Sequence, residues 1–505
     1  MSDAIDSVGD SPKRQMLWGS IWAIALRWSV RFTGLISTVI LARLLTPADY
    51  GIVSIATLIV GLVEIFSQTG QYAALIRHPD PTREHYDSAW TIGLLLGFGL
   101  GLIILALIPV TIAYFHEPQA GAVVAVLAVR TMMVGSANIG IVNFRRNMRF
   151  RTQFLFNVYP ELITFVATLV AAFVLRNYWA LVIGILAQHA SRVVLSYVME
   201  PFRPRICFSK AGEIWSFSIW TLLKSIGDYV NGQIDKLAIG GFAGAAGMGR
   251  YNVARDVAIS PTQELISPMI TVLMPVMANV QKDKQARRDI YLNVLYWSAL
   301  ICSSTGVGVA LVAQDMADLV LGPRWSGVAV LMPWFALSSA ILGLSSSVYS
   351  AFDTIGRPMM SARLQWLRVV AFIAAIVPTA YFFRSIEAVT IARTLITAAV
   401  TPTLFYALSL ALEVPMRVFA MAIWRPLLAS LLMAMVVLTM NAGMQMGGPL
   451  RLLLDVTAGA ATYGASLLLL WHFAGRPDGP EMDVCQSVQN LTRRMLGLVG
   501  LYKCQ

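Results

Sequence analysis

DYGIVSIA, Asp49–Ala56, and GMGRYNVA, Gly247–Ala254, align glycine on glycine when the chain is slid against itself, Gly51 on Gly249. The same ungapped register lays SIWAIALRW, Ser20–Trp28, over SIWTLLKSI, Ser218–Ile226. A repeat of this kind predicts two equivalent halves, and the architecture they build depends on what lies between the copies.

What lies between is apolar. Of 505 residues, 57% are hydrophobic and only 13% charged, against about 25% charged in an ordinary soluble domain. The mean hydropathy of +0.67 places the chain in the membrane class. The net charge of +11 would suggest nucleic acid in a soluble protein, but a polytopic membrane protein gathers Lys and Arg in its cytoplasmic loops, so no nucleic-acid partner is expected. Cys207, Cys302, Cys485 and Cys504 stand singly, which predicts no disulfide, metal centre or cofactor. The polar, acidic start MSDAIDSVGDSPKRQ is unlike a signal peptide, so the first apolar run should remain as a span.

Cutting at charged, Pro and Gly-rich breaks leaves about fourteen runs long enough to cross a bilayer. They cover 17–42, 51–75, 88–114, 119–143, 153–175, 178–199, 214–241, 249–275, 290–313, 326–350, 360–383, 387–411, 419–440 and 450–473. Alternate loops are rich in positive charge: Lys13 and Arg14; Arg77 and Arg83; Arg145, Arg146, Arg149 and Arg151; Arg203, Arg205 and Lys210; Lys282, Lys284, Arg287 and Arg288; Arg357; Arg417 and Arg425; and a tail with Arg476, Arg493, Arg494 and Lys503. The other loops hold about one each, which predicts both termini inside. Arg145, Arg146, Arg149 and Arg151 read first as a positive-inside anchor at the cytoplasmic mouth, with contact to anionic lipid or a substrate phosphate as the alternative.

The repeat falls on the first and seventh spans, so both halves enter the membrane in one direction. This predicts an all-α integral membrane protein of two six-helix lobes related by a parallel repeat, plus two extra helices. The boundaries are a cytoplasmic N-terminus over 1–16, an N-lobe over 17–205, a C-lobe over 206–411, the extra pair over 412–474 and a cytoplasmic amphipathic tail over 475–505.

Charge within the spans should face protein or a wet cavity. On the seventh, Lys224, Asp228, Asn231 and Asp235 follow helical spacing on one face, and Lys224 can pair with Asp228. Asp235 lies near the outer end, where simple solvation is the alternative. The first span carries Arg27 and Arg31, the second Glu64 and Gln68, the fourth Arg130 and Asn138, the sixth His189 and Arg192. The eighth carries Arg255, Asp256 and Glu264 with breaks at Pro261 and Pro268, the eleventh Arg363 and Arg368, the twelfth Arg393. Arginine outnumbers carboxylate, so a cavity built from Arg27, Arg31, Lys224 and Arg255 would favour an anion such as phosphate. Arg130, Arg192 and Arg363 could instead snorkel to the interface. Asp228, Asn231, Asp235, Glu64 and Glu264 are candidates for the cavity wall or for a coupling proton or sodium ion. Neither a phosphate loop nor an enzyme motif occurs, so the chain reads as a non-enzyme.

LARLLTPADYGIVSIATLIVGLVEIFSQTGQYAALIR (Leu41–Arg77), HYDSAWTIGLLLGF (His85–Phe98) and FRRNMRFRTQF (Phe144–Phe154) resemble the polysaccharide transporter family, the Wzx-type flippases of the multidrug/oligosaccharidyl-lipid/polysaccharide exporter superfamily. The resemblance covers most of the chain and is densest in the N-terminal half. It implies that an oligosaccharide on undecaprenyl pyrophosphate is moved from the cytoplasmic to the periplasmic face of a bacterial inner membrane for capsule or exopolysaccharide synthesis. Its partners would be that lipid-linked substrate, the bilayer, and a polysaccharide polymerase or export machinery. The rival readings are a drug exporter of the same superfamily, an integral-membrane polysaccharide-assembly enzyme, and a scaffold without transport activity.

Overall fold

The helix that carries the first repeat glycine is fixed at its start by local chemistry. Thr46 and Asp49 form a capping box: the Asp49 carboxylate accepts from the Thr46 amide at 2.8 Å, and the Thr46 hydroxyl accepts from the Asp49 amide at 3.3 Å. Pro47 follows at the first helical position, where its missing N–H costs nothing. In this computed structural model the described residues are 33–34, 36–67, 71–147, 149–214, 219–280, 283–443 and 448–475.

The long helices are α1 (Pro47–Glu64), α2 (Arg83–Ala106), α3 (Pro118–Gly135), α4 (Phe150–Leu175), α5 (Trp179–Met199), α6 (Ile219–Asn279), α7 (Lys284–Leu311), α8 (Val328–Thr354), α9 (Pro358–Phe383), α10 (Ile386–Leu412), α11 (Met416–Gly443) and α12 (Pro449–Phe473). Among the described residues there is no strand, and eleven helices, all of these but α6, are long and apolar enough to cross a membrane. The protein is therefore an all-α, multi-pass membrane protein. The expected count of fourteen is not reached by that measure. The two arms of α6 occupy the expected seventh and eighth spans, and most of the first span and the 476–505 tail lie outside the described residues. Several boundaries also move: the expected 88–114 run is α2 followed by a short helix, Ile108–Phe115, that restarts ahead of Pro109.

Two compact units emerge. The described residues up to Asn252, with Val320–Arg324, form unit 1; Val253–Leu319 and those from Trp325 onward form unit 2. In unit 2 the core gathers Leu295 and Cys302 of α7, Leu344 and Phe352 of α8, Leu404 of α10 and Phe419 of α11. In unit 1, Gly97 of α2 sits where an added Cβ would lie 2.9 Å from the Gly135 Cα, so α2 and α3 touch backbone to backbone.

The expected breaks at Pro261 and Pro268 do not occur. Among the residues of α6, only Gly244 leaves helical geometry, at φ +60°, and the second arm runs on through both prolines. Within a membrane bundle, neighbouring groups can satisfy the carbonyls a proline frees. Gly244 stands at the repeat position of Thr46, but without a side chain it cannot cap; the Glu117 carboxylate does so from outside, accepting from the Ala245 amide at 3.1 Å. The bend is clasped by Tyr251, which donates to Asp235, and by Lys236, which donates to Asn252. Asp235 and Tyr251 are both fully buried, so solvation of Asp235 is overturned: the fold back of the second arm covers it.

The two repeat glycines meet here. A Cβ on Gly51 would lie 1.7 Å from the Ala245 carbonyl oxygen, and one on Gly249 would lie 1.8 Å from the Pro47 carbonyl oxygen. The register that carries Gly51 onto Gly249 also carries Pro47 onto Ala245. Residue i of one copy thus touches residue j of the other and j touches i, the reciprocity of a two-fold contact.

The segment that joins α5 to α6 lies along α2. Extended backbone from Glu200 offers the Arg205 amide to Asp87 (2.9 Å) and the Cys207 amide to Thr91 (3.0 Å), while the Lys210 amide reaches Ser88 (3.2 Å). Two extended residues advance about 6.6 Å and four helical residues about 6 Å, so alternate strap amides match successive turns of the helix. Asn138, fully buried, secures the beginning of the strap by donating to the Phe202 carbonyl at 2.7 Å.

Gly51→Ala and Gly249→Ala should each lower the detergent melting temperature by several degrees, a loss of about 1–3 kcal/mol. Gly99→Ala, where no atom lies within 4 Å of the new Cβ, should not. Asp87→Ala should speed tryptic cleavage after Arg205, read by mass spectrometry, because the strap loses its buried acceptor.

Candidate functional site

Unit 1 collects charge on the helices α1, α3, α4 and α5, which pack in the order α1 on α3, α3 on α5 and α5 on α4. Glu64, at the last turn of α1, accepts from Arg130 Nη1 at 2.5 Å and from the Thr131 hydroxyl at 2.8 Å. Both charged side chains are three-quarters buried or more. Arg130 is therefore paired in the interior rather than snorkelling, because a carboxylate on the neighbouring helix offsets its desolvation. On α4 and α5, Glu161 accepts from Gln188 at 2.7 Å and lies 3.9 Å from Arg192 Nη2. His189 lies within the electrostatic reach of both Arg130 and Arg192. The Nε–H groups of Arg130 and Arg192 are buried and have no hydrogen-bond partner among the described residues, so each guanidinium keeps a donor in reserve.

The other sequence candidates fall in several places. Arg27 and Arg31 lie outside the described residues, as do the side-chain contacts of Lys224. Along the first arm of α6, Asp228 is exposed, Asn231 is buried and Asp235 belongs to the clasp. Arg255 and Glu264, both half-buried, lie on the second arm in unit 2. Arg145, Arg149 and Arg151 are exposed, whereas Arg146 donates to the carbonyls of Leu75 (3.3 Å) and Pro79 (2.7 Å), stapling the loop before α2.

In unit 2 arginine meets aromatic rings. Arg393 of α10, 2% exposed, and Arg368 of α9 lie 5.4 and 5.7 Å from the centroid of Phe372. Arg425 stands 5.0 Å from the centroid of Tyr296. The sequence reading placed Arg425 in a cytoplasmic loop; it is instead inside α11 and buried. The expected span 419–440 already overlapped this loop assignment, and α11, which begins at Met416 and continues through Pro426, resolves the overlap in favour of the helix.

Beside the strap, His78, His85 and Glu213 bring ligand-type atoms within 4.8 Å of one another, a grouping that their scattered positions did not reveal. The His85 Nδ1 accepts from the Thr82 amide and the His78 Nδ1 from the Asp80 amide, each at 3.2 Å. The other ring nitrogen, His85 Nε2, meets Glu213 at 3.1 Å. Lys210 also binds Glu213, at 2.7 Å, and these two neighbours hold the Glu213 carboxyl below the usual range. At the start of the strap, burial pushes the Glu200 carboxyl up, opposed by the Asn143 side chain and the charge of Arg149.

A family described as "Polysaccharide biosynthesis protein" matches residues 40–330, more than half of the chain. The chain belongs to this polysaccharide biosynthesis family. The chain is 21% identical to the lipopolysaccharide biosynthesis protein WzxC of Escherichia coli (strain K12), over 73% of this chain and 75% of that one. It is also 21% identical to the succinoglycan biosynthesis transport protein ExoT of Rhizobium meliloti (strain 1021), over 71% and 73% respectively. Its fold is similar to that of the lipid II flippase MurJ in an inward closed conformation, with a TM-score of 0.73 and 12% identity over 91% of this chain and all of that one. An inward-facing multidrug resistance MATE family transporter gives 0.60 and 14% identity over 78% and 98%.

For this member of the polysaccharide biosynthesis family, the Glu64–Arg130 pair makes a direct prediction. Arg130→Gln should destabilise the protein by about 1–3 kcal/mol, since Glu64 keeps its charge and loses its main partner. Glu64→Gln together with Arg130→Gln should cost less than the two single changes added, with a coupling of about 0.5–3 kcal/mol in a double-mutant cycle of detergent melts.

Proposed function

We propose that the chain is a flippase that moves oligosaccharide repeat units on undecaprenyl pyrophosphate from the cytoplasmic to the periplasmic face of a bacterial inner membrane by alternating access, for capsule or exopolysaccharide synthesis. The geometric observation that carries this reading is the pair of buried Nε donors on Arg130 and Arg192. A guanidinium already held by one carboxylate, with a further N–H to give, can take a phosphate oxygen without first breaking its structural pair. The relatives named for lipopolysaccharide and succinoglycan biosynthesis support the same class of cargo.

In this reading Arg27, Arg31, Lys224 and Arg255 join Arg130 and Arg192 as the cationic groups that hold the pyrophosphate. Asp228, Asn231, Glu64 and Glu264 supply polar wall or take a coupling ion, and Asp235 serves the clasp of α6. Arg145, Arg149 and Arg151 meet lipid headgroups or incoming phosphate at the cytoplasmic mouth, with both termini on that side. The protein transports and does not catalyse, and it hands its cargo to a polymerase or export machinery.

The test is complementation in cells lacking the protein, with wild type, Arg27→Ala, Arg31→Ala, Arg130→Ala and Asp228→Ala at matched membrane levels. Surface polysaccharide should fall at least tenfold in the Arg130 and Arg31 variants while the lipid-linked intermediate accumulates on the cytoplasmic side; a tenfold effect corresponds to about 1.4 kcal/mol. Loss of polymer with the intermediate already on the outer face would replace transport with a later enzymatic or assembly role.

A further inference from the structure

One end of unit 2 holds more carboxylate than its neighbouring guanidinium can neutralise. The short helix Ala313–Val320, which follows α7, carries Asp315 and Asp318; α12 begins nearby with Arg451 and Asp455; α11 ends with Asn441. Arg451 Nε lies 3.4 Å from Asp315 Oδ2 and 3.8 Å from Asp455 Oδ2. That nitrogen has one hydrogen, and it donates to Asn441 Oδ1 at 3.3 Å. Asp455 is 3% exposed, and its Oδ2, which faces Arg451, has no hydrogen-bond partner among the described residues. A buried carboxylate oxygen without a donor carries a desolvation cost that a neighbouring donor would relieve.

We propose that the carboxyls of Asp315 and Asp455, gathered at Arg451, form a proton-binding site that takes up one proton between them. Two carboxylates at one guanidinium cannot both ionise cheaply, so a shared proton lowers the charge of the pair and supplies the donor that Asp455 lacks. Asp318 adds a third negative charge from the same short helix and is itself held by Gln314 at 2.9 Å. The charged groups that these elements bring to the pair are Asp315 and Asp318 from the short helix and Arg451 and Asp455 from α12; α11 contributes the neutral Asn441. Burial raises the Asp315 carboxyl above the ordinary range; Arg451 opposes this, and Asp455 and Asp318 reinforce it. The site joins the starts and ends of three helices, so gain and loss of the proton bear on how tightly they are held together.

The sign follows from linkage. A carboxyl whose folded value lies above its unfolded value binds its proton better when folded, so its stabilisation is complete at low pH and is lost as pH rises through the folded value. The purified full chain in detergent should therefore melt a few degrees lower at about pH 8 than at about pH 5, and Asp315→Asn should remove at least half of that difference. Asp455→Asn, which places an amide donor at the same position, should melt within about 1 °C of wild type at neutral pH. Independently of any variant, the wild-type chain should react with dicyclohexylcarbodiimide, which attacks protonated carboxyls, at Asp315 or Asp455. Peptide mass spectrometry should show that labelling fall at least fivefold as pH rises over the same interval. A pH-independent melting difference between wild type and Asp315→Asn, absence of label from both residues, or protection by sodium at fixed pH would each overturn the proton assignment. None of these readouts involves transport, so they stand or fall apart from the flippase reading.

Discussion

Two carbonyl oxygens, those of Ala245 and Pro47, occupy the space where Gly51 and Gly249 would otherwise carry side chains. The start of α1 and the bend of α6 can approach this closely only because both positions are glycine, and much of unit 1 follows from that contact. With the start of the second arm, at Ala245 and Gly249, lying against α1, Gly244 has to adopt a left-handed φ that other residues avoid, and its missing cap has to come from elsewhere. Glu117 at the start of α3 supplies it, which ties α3 to the same junction. Asp235, Lys236, Tyr251 and Asn252 then close the bend across its two sides. The two glycine segments thus serve as a packing device: positions matched in the repeat register make matched contacts.

Apolar surroundings impose the second constraint. Each charge carried into the helices has to be met by a group that tolerates it. Carboxylates do so for Arg130 (Glu64) and Arg192 (Glu161) in unit 1 and for Arg451 (Asp315 and Asp455) in unit 2. The rings of Phe372 and Tyr296 add to the surroundings of Arg368, Arg393 and Arg425 in unit 2. A carboxylate cancels the positive charge, whereas a ring face attracts it through its quadrupole without cancelling it.

The length of the apolar runs made most of the membrane helices legible, because an apolar run of about twenty residues has few other uses. It was poor at breaks. Pro261 and Pro268 carry the strongest local signal for an end, yet the helix passes both, since neighbours within a bundle replace the bonds that proline removes. Gly244 gives a weaker local signal and is the true bend, because the deciding contact comes from Ala245 against Gly51, far away in sequence. The glycine pair itself was legible, although its reciprocal contact was not. Arg425 looked like loop charge because sequence shows the charge and not the ring of Tyr296, more than a hundred residues distant, that makes burial tolerable. The strap over α2 left no periodic trace, as its partners Asp87, Ser88 and Thr91 resemble ordinary polar residues at the mouth of a span.

The distribution of satisfied and unsatisfied polar groups separates holding from handling. Along the strap, buried acceptors are matched to backbone donors: Asp87, Ser88, Thr91 and Asn138 each take or give a bond to the linker. Such a segment gains nothing from further ligands and is suited to staying where it is. The Nε atoms of Arg130 and Arg192 and the Oδ2 of Asp455 are also out of solvent but lack a hydrogen bond within the described residues. Leaving a buried donor or acceptor unmatched has a cost of about 1–3 kcal/mol, which a purely structural position would tend to shed by substitution. These atoms differ in what would complete them: the arginine donors call for an oxygen acceptor, the Asp455 oxygen for a proton. On the two proposals above, an anion with phosphate oxygens would answer the first need and a single proton the second.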